Sequence, residues 1–123
     1  MIKRFDRLDV ATADLTDAVT VYQKNFDFAV RPTSNSNEAI IELGDAQIRI
    51  RAGDAVADLI ASSGEGLAAL WLEAEDVEKV SEELKAANIT VSSVRVEGDR
   101  RFVEVNPRSA NMVPLFIFDR PSH

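Results

Sequence analysis

The chain has 123 residues and no cysteine. That excludes a disulfide framework and any thiol chemistry. Histidine occurs once, as His123, where a frayed terminus is the expectation rather than a ligand. Basic residues are scarce: 14 Lys and Arg stand against 21 Asp and Glu, a net charge of −7. Phosphate backbones require a basic surface, so a nucleic-acid partner is not expected. The acidic surface keeps the protein soluble and favours cationic ligands over anionic ones. No stretch approaches the roughly 18 apolar residues of a membrane span. Residues 1–6 also lack an apolar signal core, so no membrane partner and a cytoplasmic location are expected. There is no Gly-x-Ser-x-Gly elbow, and Ser62, Ser63 and Ser109 lie in connectors with no histidine near in sequence. Gly64-Glu65-Gly66 lacks both the third glycine and the strand-to-helix context of a phosphate-cradling loop.

What is present is an ordinary globular composition, 46% hydrophobic and 28% charged, in a length typical of one domain. Its order repeats. Asp14-Leu15-Thr16-Asp17-Ala18-Val19 opens an amphipathic helix after an alternating run, and Asp76-Val77-Glu78-Lys79-Val80 does so again 62 residues later. The two helices end alike, at Asp27-Phe28-Ala29-Val30 and Asn88-Ile89-Thr90-Val91, 61 residues apart. A near-constant offset across strand, helix and strand marks a duplicated module. Asp14 and Asp76 can accept from backbone N–H groups of the first turn. Leu15, Ala18, Val19, Tyr22 and Phe26 form one apolar stripe. Asp27 and Asn88 tolerate the left-handed conformation that ends a helix. Strands are predicted over 4–12, 28–32, 38–43 and 46–52, then over 67–74, 89–96, 100–106 and 113–119. Gly44-Asp45 and Gly98-Asp99 suit two-residue hairpin turns with glycine first. A short helix is predicted at 55–61. The fold class is therefore α+β: two βαβββ modules, 1–58 and 67–123, joined by a connector at 59–66 within a single domain. Each helix covers one sheet face, and the other faces form a concave cavity.

Strand alternation places Arg7, Asp9, Gln47, Arg49 and Arg51 on the helix-free face of the first module. In the second it places Trp71, Glu73, Phe102, Glu104, Phe116 and Phe118 there. Two roles are open to Arg7 and Arg49: a forked clamp on a carboxylate or phosphate, or pairing with Asp9, Glu42, Glu73 or Glu104, as buried arginines usually do. Trp71 and the phenylalanines can stack on a planar ligand, fill the cavity, or form a dimer seam. Glu73 or Glu104 is a candidate acid or base if its site is dry.

These residues resemble the vicinal oxygen chelate superfamily, the group of glyoxalases, bleomycin-resistance proteins and extradiol dioxygenases. The likeness is carried by residues 14–28, Ile41-Glu42-Leu43-Gly44-Asp45, Glu75-Asp76-Val77 and Leu84-Lys85-Ala86-Ala87-Asn88-Ile89, and covers nearly the whole chain. In metal-binding members each module supplies one ligand seven residues before the helix-capping aspartate and one on its last strand. The resemblance maps these onto Arg7 and Arg49 in the first module and Ala69 and Phe116 in the second. A protonated guanidinium has no lone pair to give, and Ala and Phe have no donor atom. The expectation is a protein without metal or other cofactor, and without the metal-dependent glyoxalase, dioxygenase or epimerase mechanisms. The leading reading is a homodimer that binds a small molecule, as bleomycin-resistance proteins do for sequestration, and is not an enzyme. Its ligand-binding residues would be Arg7, Arg49, Trp71, Glu73, Phe102, Glu104 and Phe116. The alternative is a metal-independent lyase or isomerase with Glu73 or Glu104 as acid or base and Arg7 and Arg49 holding an anion.

Overall fold

The computed structural model describes residues 2–121, so the expectation for His123 lies outside the described residues. The elements run β1 (Ile2–Ala11), α1 (Leu15–Phe26), β2 (Val30–Pro32), β3 (Glu38–Leu43), β4 (Ala46–Arg51), α2 (Asp54–Ser63), β5 (Gly66–Ala74), α3 (Val77–Ala86), β6 (Arg95–Glu97), β7 (Arg100–Glu104), a 3-10 turn (Pro107–Ala110) and β8 (Leu115–Asp119). This is the expected α+β class. The chain forms two compact units. One is Arg7–Ala68; the other joins the residues up to Asp6 to those from Ala69 onward.

In the Arg7–Ala68 unit the strand order is β2-β3-β4-β1. β1 and β4 run parallel with Val10 opposite Ile50, and β3 and β4 run antiparallel with Ala39 opposite Ile50. In the other unit the order is β5-β8-β7-β6. There Leu72 lies opposite Ile117 in the parallel pair and Val103 opposite Ile117 in the antiparallel pair. Val10 and Leu72 each stand four residues before a helix cap, Asp14 and Asp76. The same pairing pattern thus recurs at matched positions in both units.

Local chemistry accounts for the helix limits. The Asp14 carboxylate accepts from Asp17 N–H at 3.0 Å, and that of Asp76 from Glu78 and Lys79 N–H at 3.0 and 3.3 Å. These bonds satisfy donors that the first turn leaves without helical partners. Asp27 and Asn88 adopt φ of 56° and 63° and stop α1 and α3 as their side chains allow. Gly44 and Gly98, at φ of 61° and 60°, open the β3–β4 and β6–β7 turns, where a left-handed first residue matches the twist of the flanking strands.

One strand is shorter than its pattern. The alternation over 89–96 predicts a full strand, but pairing is confined to Arg95–Glu97 and an isolated bridge between Val91 and Val105. Ser92 explains the gap. Its hydroxyl donates to Ser93 O at 2.9 Å and accepts from Glu104 N–H at 2.9 Å, giving the backbone a local alternative to the ladder.

Packing differs between the two long helices. Under α3, the buried residues Val77 and Val80 join Ala74, Val103, Val105 and Ile117 in one core cluster. Asp119 fastens the start of that helix. It accepts from Val77 N–H at 2.8 Å and takes Arg101 in a forked pair, with Nε on Oδ1 at 2.9 Å and Nη2 on Oδ2 at 2.5 Å. Helix α1, by contrast, buries no residue fully.

Candidate functional site

The helix-free face of each unit carries the residues singled out from sequence. On the Arg7–Ala68 unit, β1 presents Arg7 and Asp9 and β4 presents Arg49, with Asp9 directly opposite Arg49 in register. Arg49 grips Asp9 through both forks, Nε to Oδ1 at 2.9 Å and Nη2 to Oδ2 at 2.6 Å. Arg7 Nε lies 3.1 Å from Asp9 Oδ1. Asp9 is 1% exposed. Of the two roles open to these arginines, the geometry displays the paired one, with Asp9 as the shared carboxylate. A buried charge left alone would cost several kcal/mol, which is why both forks close on it.

On the other unit, Trp71 of β5, Phe102 of β7 and Phe116 and Phe118 of β8 form a second cluster, on the face opposite α3. Trp71 stacks on Phe116 with centroids 4.6 Å apart and 22° between planes. It meets Phe102 and Phe118 edge-on at 5.4 and 6.0 Å. Offset and edge-on pairs of this kind add about 0.5–1.5 kcal/mol each beyond burial. Phe118 is fully buried and Phe116 only partly, so Phe116 is the aromatic edge of the cluster nearest water.

The two carboxylates differ. Glu73 is 9% exposed and is held by Arg4 Nε at 2.7 Å and Arg120 Nη1 at 3.5 Å. Glu104 lies opposite Phe116 in register and is partly exposed; its ion-pair distance to Arg95 is 3.9 Å. Alternation thus brings Trp71, Phe102, Phe116 and Glu104 to one side of this unit, with Glu73 tied into an arginine lattice on the same strand as Trp71.

Sequence reading did not single out the arginines of that lattice. Arg100 sits 4.0 Å over the Phe118 ring and 5.8 Å from Trp71, and pairs with Asp6 at 3.0 Å. Arg4 joins Asp6 at 2.6 Å to Glu73. Desolvation works against the Arg4 charge, but Asp6 and Glu73 outweigh it and raise its pKa. The available signal was parity: Arg100 precedes Phe102 by two on one strand and therefore shares its face.

The four positions the resemblance assigns to metal ligands hold Arg7 and Arg49 in one unit and Ala69 and Phe116 in the other. Ala69 and Phe116 belong to the aromatic cluster. Among the described residues no group of three or more acidic or imidazole side chains is placed to hold a metal ion. The donor set therefore does not fit a divalent cation, which needs convergent oxygen or nitrogen ligands. Among the described residues no helix is long and apolar enough to cross a membrane.

The matched pairing in both units and their aromatic and arginine-rich sheet faces mark a duplicated strand–helix–strand protein. Residues 4–106 match the family model described as Glyoxalase/Bleomycin resistance protein/Dioxygenase superfamily, and the chain belongs to that superfamily. No curated protein matches it in sequence. Among solved structures it is similar to methylmalonyl-CoA epimerase from Mycobacterium tuberculosis, with TM-score 0.78, 18% identity, and 98% of this chain and 90% of that one covered. A hypothetical protein from Bacillus halodurans C-125 gives TM-score 0.78 at 16% identity, covering 98% and 96%. A variant of Streptomyces coelicolor methylmalonyl-CoA epimerase, in complex with 2-nitronate-propionyl-CoA, gives 0.76 at 17%, covering 99% and 97%. At these identities the likeness is one of fold.

Proposed function

We propose that this protein binds a small organic molecule with a planar, apolar portion against the Trp71–Phe116 stack, without metal-ion chemistry. The observation that carries the reading is the stack itself. Its rings are 4.6 Å apart, and Phe116 stands where metal-dependent members of the superfamily are expected to place a ligand. Phe102 backs the stack, and Glu104, opposite Phe116, supplies an acceptor whose nearest ion-pair partner is 3.9 Å away. A cationic or hydrogen-bond-donating group beside the planar portion suits Glu104, and the net charge of −7 favours the same sign. Glu73 then serves the site by fixing its wall through its ion pairs rather than by touching the ligand, while Arg7 and Arg49 stay paired with Asp9 in the other unit.

Trp71 is the sole tryptophan, so its emission reports on this face alone. Titration with a panel of cationic aromatics and small organic anions is expected to quench or shift that emission for at least one cationic aromatic. The same compound stabilises the fold by about 2.7 kcal/mol at a hundredfold excess over Kd and so raises Tm. Phe116→Ala abolishes both effects. A panel in which no compound alters Trp71 emission or Tm refutes the reading.

A second reading is acid–base catalysis without a metal, favoured by the epimerases among the similar structures. Glu73 is engaged by two guanidiniums, so the reacting carboxylate in this reading is Glu104. A CoA thioester carrying an acidic α-proton would exchange it with deuterium in heavy water. The exchange is expected to vanish in Glu104→Gln; exchange that survives that substitution removes Glu104 from the reaction.

A further inference from the structure

The internal duplication supplies a control for the space beneath each helix. In the unit bearing α3, Val103 faces Ile117 and fills the interface with the helix, at 0% exposure. The residue at the matched position beneath α1 is Ala39, facing Ile50. Two register pairs further along, on the same face, the α3 unit places Arg101 opposite Asp119, whose carboxylate reaches the helix start at Val77 N–H. The matched pair in the α1 unit is Asn37 and Ala52, joined only through backbone, Ala52 N–H to Asn37 O at 2.9 Å. The position that carries Val103 under α3 therefore carries only Ala39 under α1. Ala39 lines an opening of about 380 Å³ between α1 and the β2–β3 hairpin, and α1 has no fully buried residue. That volume falls within the range of small-molecule sites.

The lining states what the opening suits. Leu15 and Val19 of α1 and Val30, Pro32 and Ala39 of the hairpin give it an apolar floor. Thr16, Thr20 and Gln23 on the helix and Thr33, Asn35 and Ser36 in the hairpin loop give it a neutral hydrogen-bonding rim. The two charged residues at its margin are compensated: Arg31 donates to Glu42 at 2.7 Å, and Glu38 lies 3.8 Å from Arg51. Nothing there rewards a net charge, and desolvating one would go unrepaid.

We infer that the groove between α1 and the β2–β3 hairpin is a second binding site, for an uncharged amphipathic molecule with a compact apolar body and a hydroxyl, ester or amide edge. It is separate from the Trp71–Phe116 face and does not depend on that face binding anything.

The test is amide NMR of the whole chain titrated with benzyl alcohol and N-benzylacetamide as neutral probes, and benzoate and benzylammonium as charged counterparts of similar size. The neutral probes are expected to shift amides in Leu15–Gln23 and Val30–Ala39, with Kd in the low-millimolar range, about 4 kcal/mol. The charged ones bind at least tenfold more weakly. Ala39→Val restores the bulk of the matched position and weakens neutral-probe binding at least tenfold while leaving Trp71 emission unchanged. Val19→Phe fills the same space from the helix side and serves if Ala39→Val misfolds. Absence of localised shifts with the neutral probes overturns the inference. So does equal binding of the charged probes, or binding that survives both substitutions. Shifts confined to residues near Trp71 and Phe116 likewise overturn it while supporting the stacking face, so the two sites fail independently.

Discussion

Replacing Asp119 by alanine tests how the α3 unit holds its helix. The residue is 2% exposed and makes three directed bonds: two from Arg101 and one from the N–H of Val77. Alanine leaves the Val77 N–H buried without an acceptor, which costs about 1–3 kcal/mol. It also strips Arg101 of its forked partner. Arg101 is 28% exposed, and Glu78 and Asp76 stand at 3.6 and 3.8 Å, so water and those carboxylates recover part of that loss. The net expectation is about 3 kcal/mol, the low end of the range for breaking a buried ion pair by removing one partner. In a domain of this size that lowers Tm by roughly 12 °C. Asp119→Asn keeps the shape and one acceptor for Val77, and is expected to cost about half as much.

The pH dependence follows from the same contacts. Burial alone would raise the Asp119 pKa, but the Arg101 hydrogen bonds and the Val77 N–H outweigh it and hold the carboxyl below its ordinary 3.8. A group depressed in the folded state stabilises at every pH above its unfolded value and loses that contribution as pH falls through its folded one. Urea unfolding of wild type and Asp119→Asn is therefore expected to give a constant stability gap from pH 7 to about pH 5, closing progressively below 3.8. A double-mutant cycle with Arg101→Met should return a coupling of at least about 1 kcal/mol. A cost below about 1 kcal/mol for Asp119→Ala, additive effects in the cycle, or a gap undiminished at the acid end would each mean that Asp119 does not hold the start of α3.

Asp9→Ala is expected to cost about 3–5 kcal/mol in urea unfolding, since it leaves the largely buried side chains of Arg7 and Arg49 without the carboxylate both reach. Val103→Ala, at a fully buried position, should cost about 2 kcal/mol. Asp27→Gly should stabilise by about 0.5–1 kcal/mol, because it relieves a left-handed φ of 56° and removes a negative charge from the negative end of α1. Asn88→Gly, which relieves a similar φ without the charge, should gain less, and thermal melts of the two variants side by side decide it.

The duplication was legible because backbone rules act over short spans. The caps at Asp14 and Asp76, the left-handed stops at Asp27 and Asn88 and the glycine-first turns at Gly44 and Gly98 are each decided within a few residues. Alternation likewise fixed which side chains share a face, and so gathered Trp71, Phe102 and Phe116. It failed over 89–96, where the Ser92 hydroxyl bonds to Ser93 O and Glu104 N–H. Residue spacing cannot express that competition. Nor does spacing reveal which carboxylate an arginine will take. Asp9, Glu42, Glu73 and Glu104 were equal candidates for Arg7 and Arg49, and only the register that sets Asp9 beside Arg49 singles one out.

That choice of partners bears directly on function. In the unit that bears the aromatic face, Arg100 pairs with Asp6, Arg4 with Asp6 and Glu73, and Arg120 with Asp99 and Glu73, all within 3.5 Å. An incoming anion would have to compete with a carboxylate already desolvated and aligned, and displacing one would leave it buried without its counter-charge. A ligand that packs on the partly exposed Phe116, with Trp71 buried behind it, and donates to Glu104 competes only with the 3.9 Å pair to the exposed Arg95. Its gain comes from apolar area and one charge-assisted hydrogen bond, while the arginine lattice behind it remains intact. The ion pairs therefore bias the aromatic face toward planar cations and neutral donors, and an organic anion outbinding every cationic aromatic in the Trp71 titration would contradict that bias.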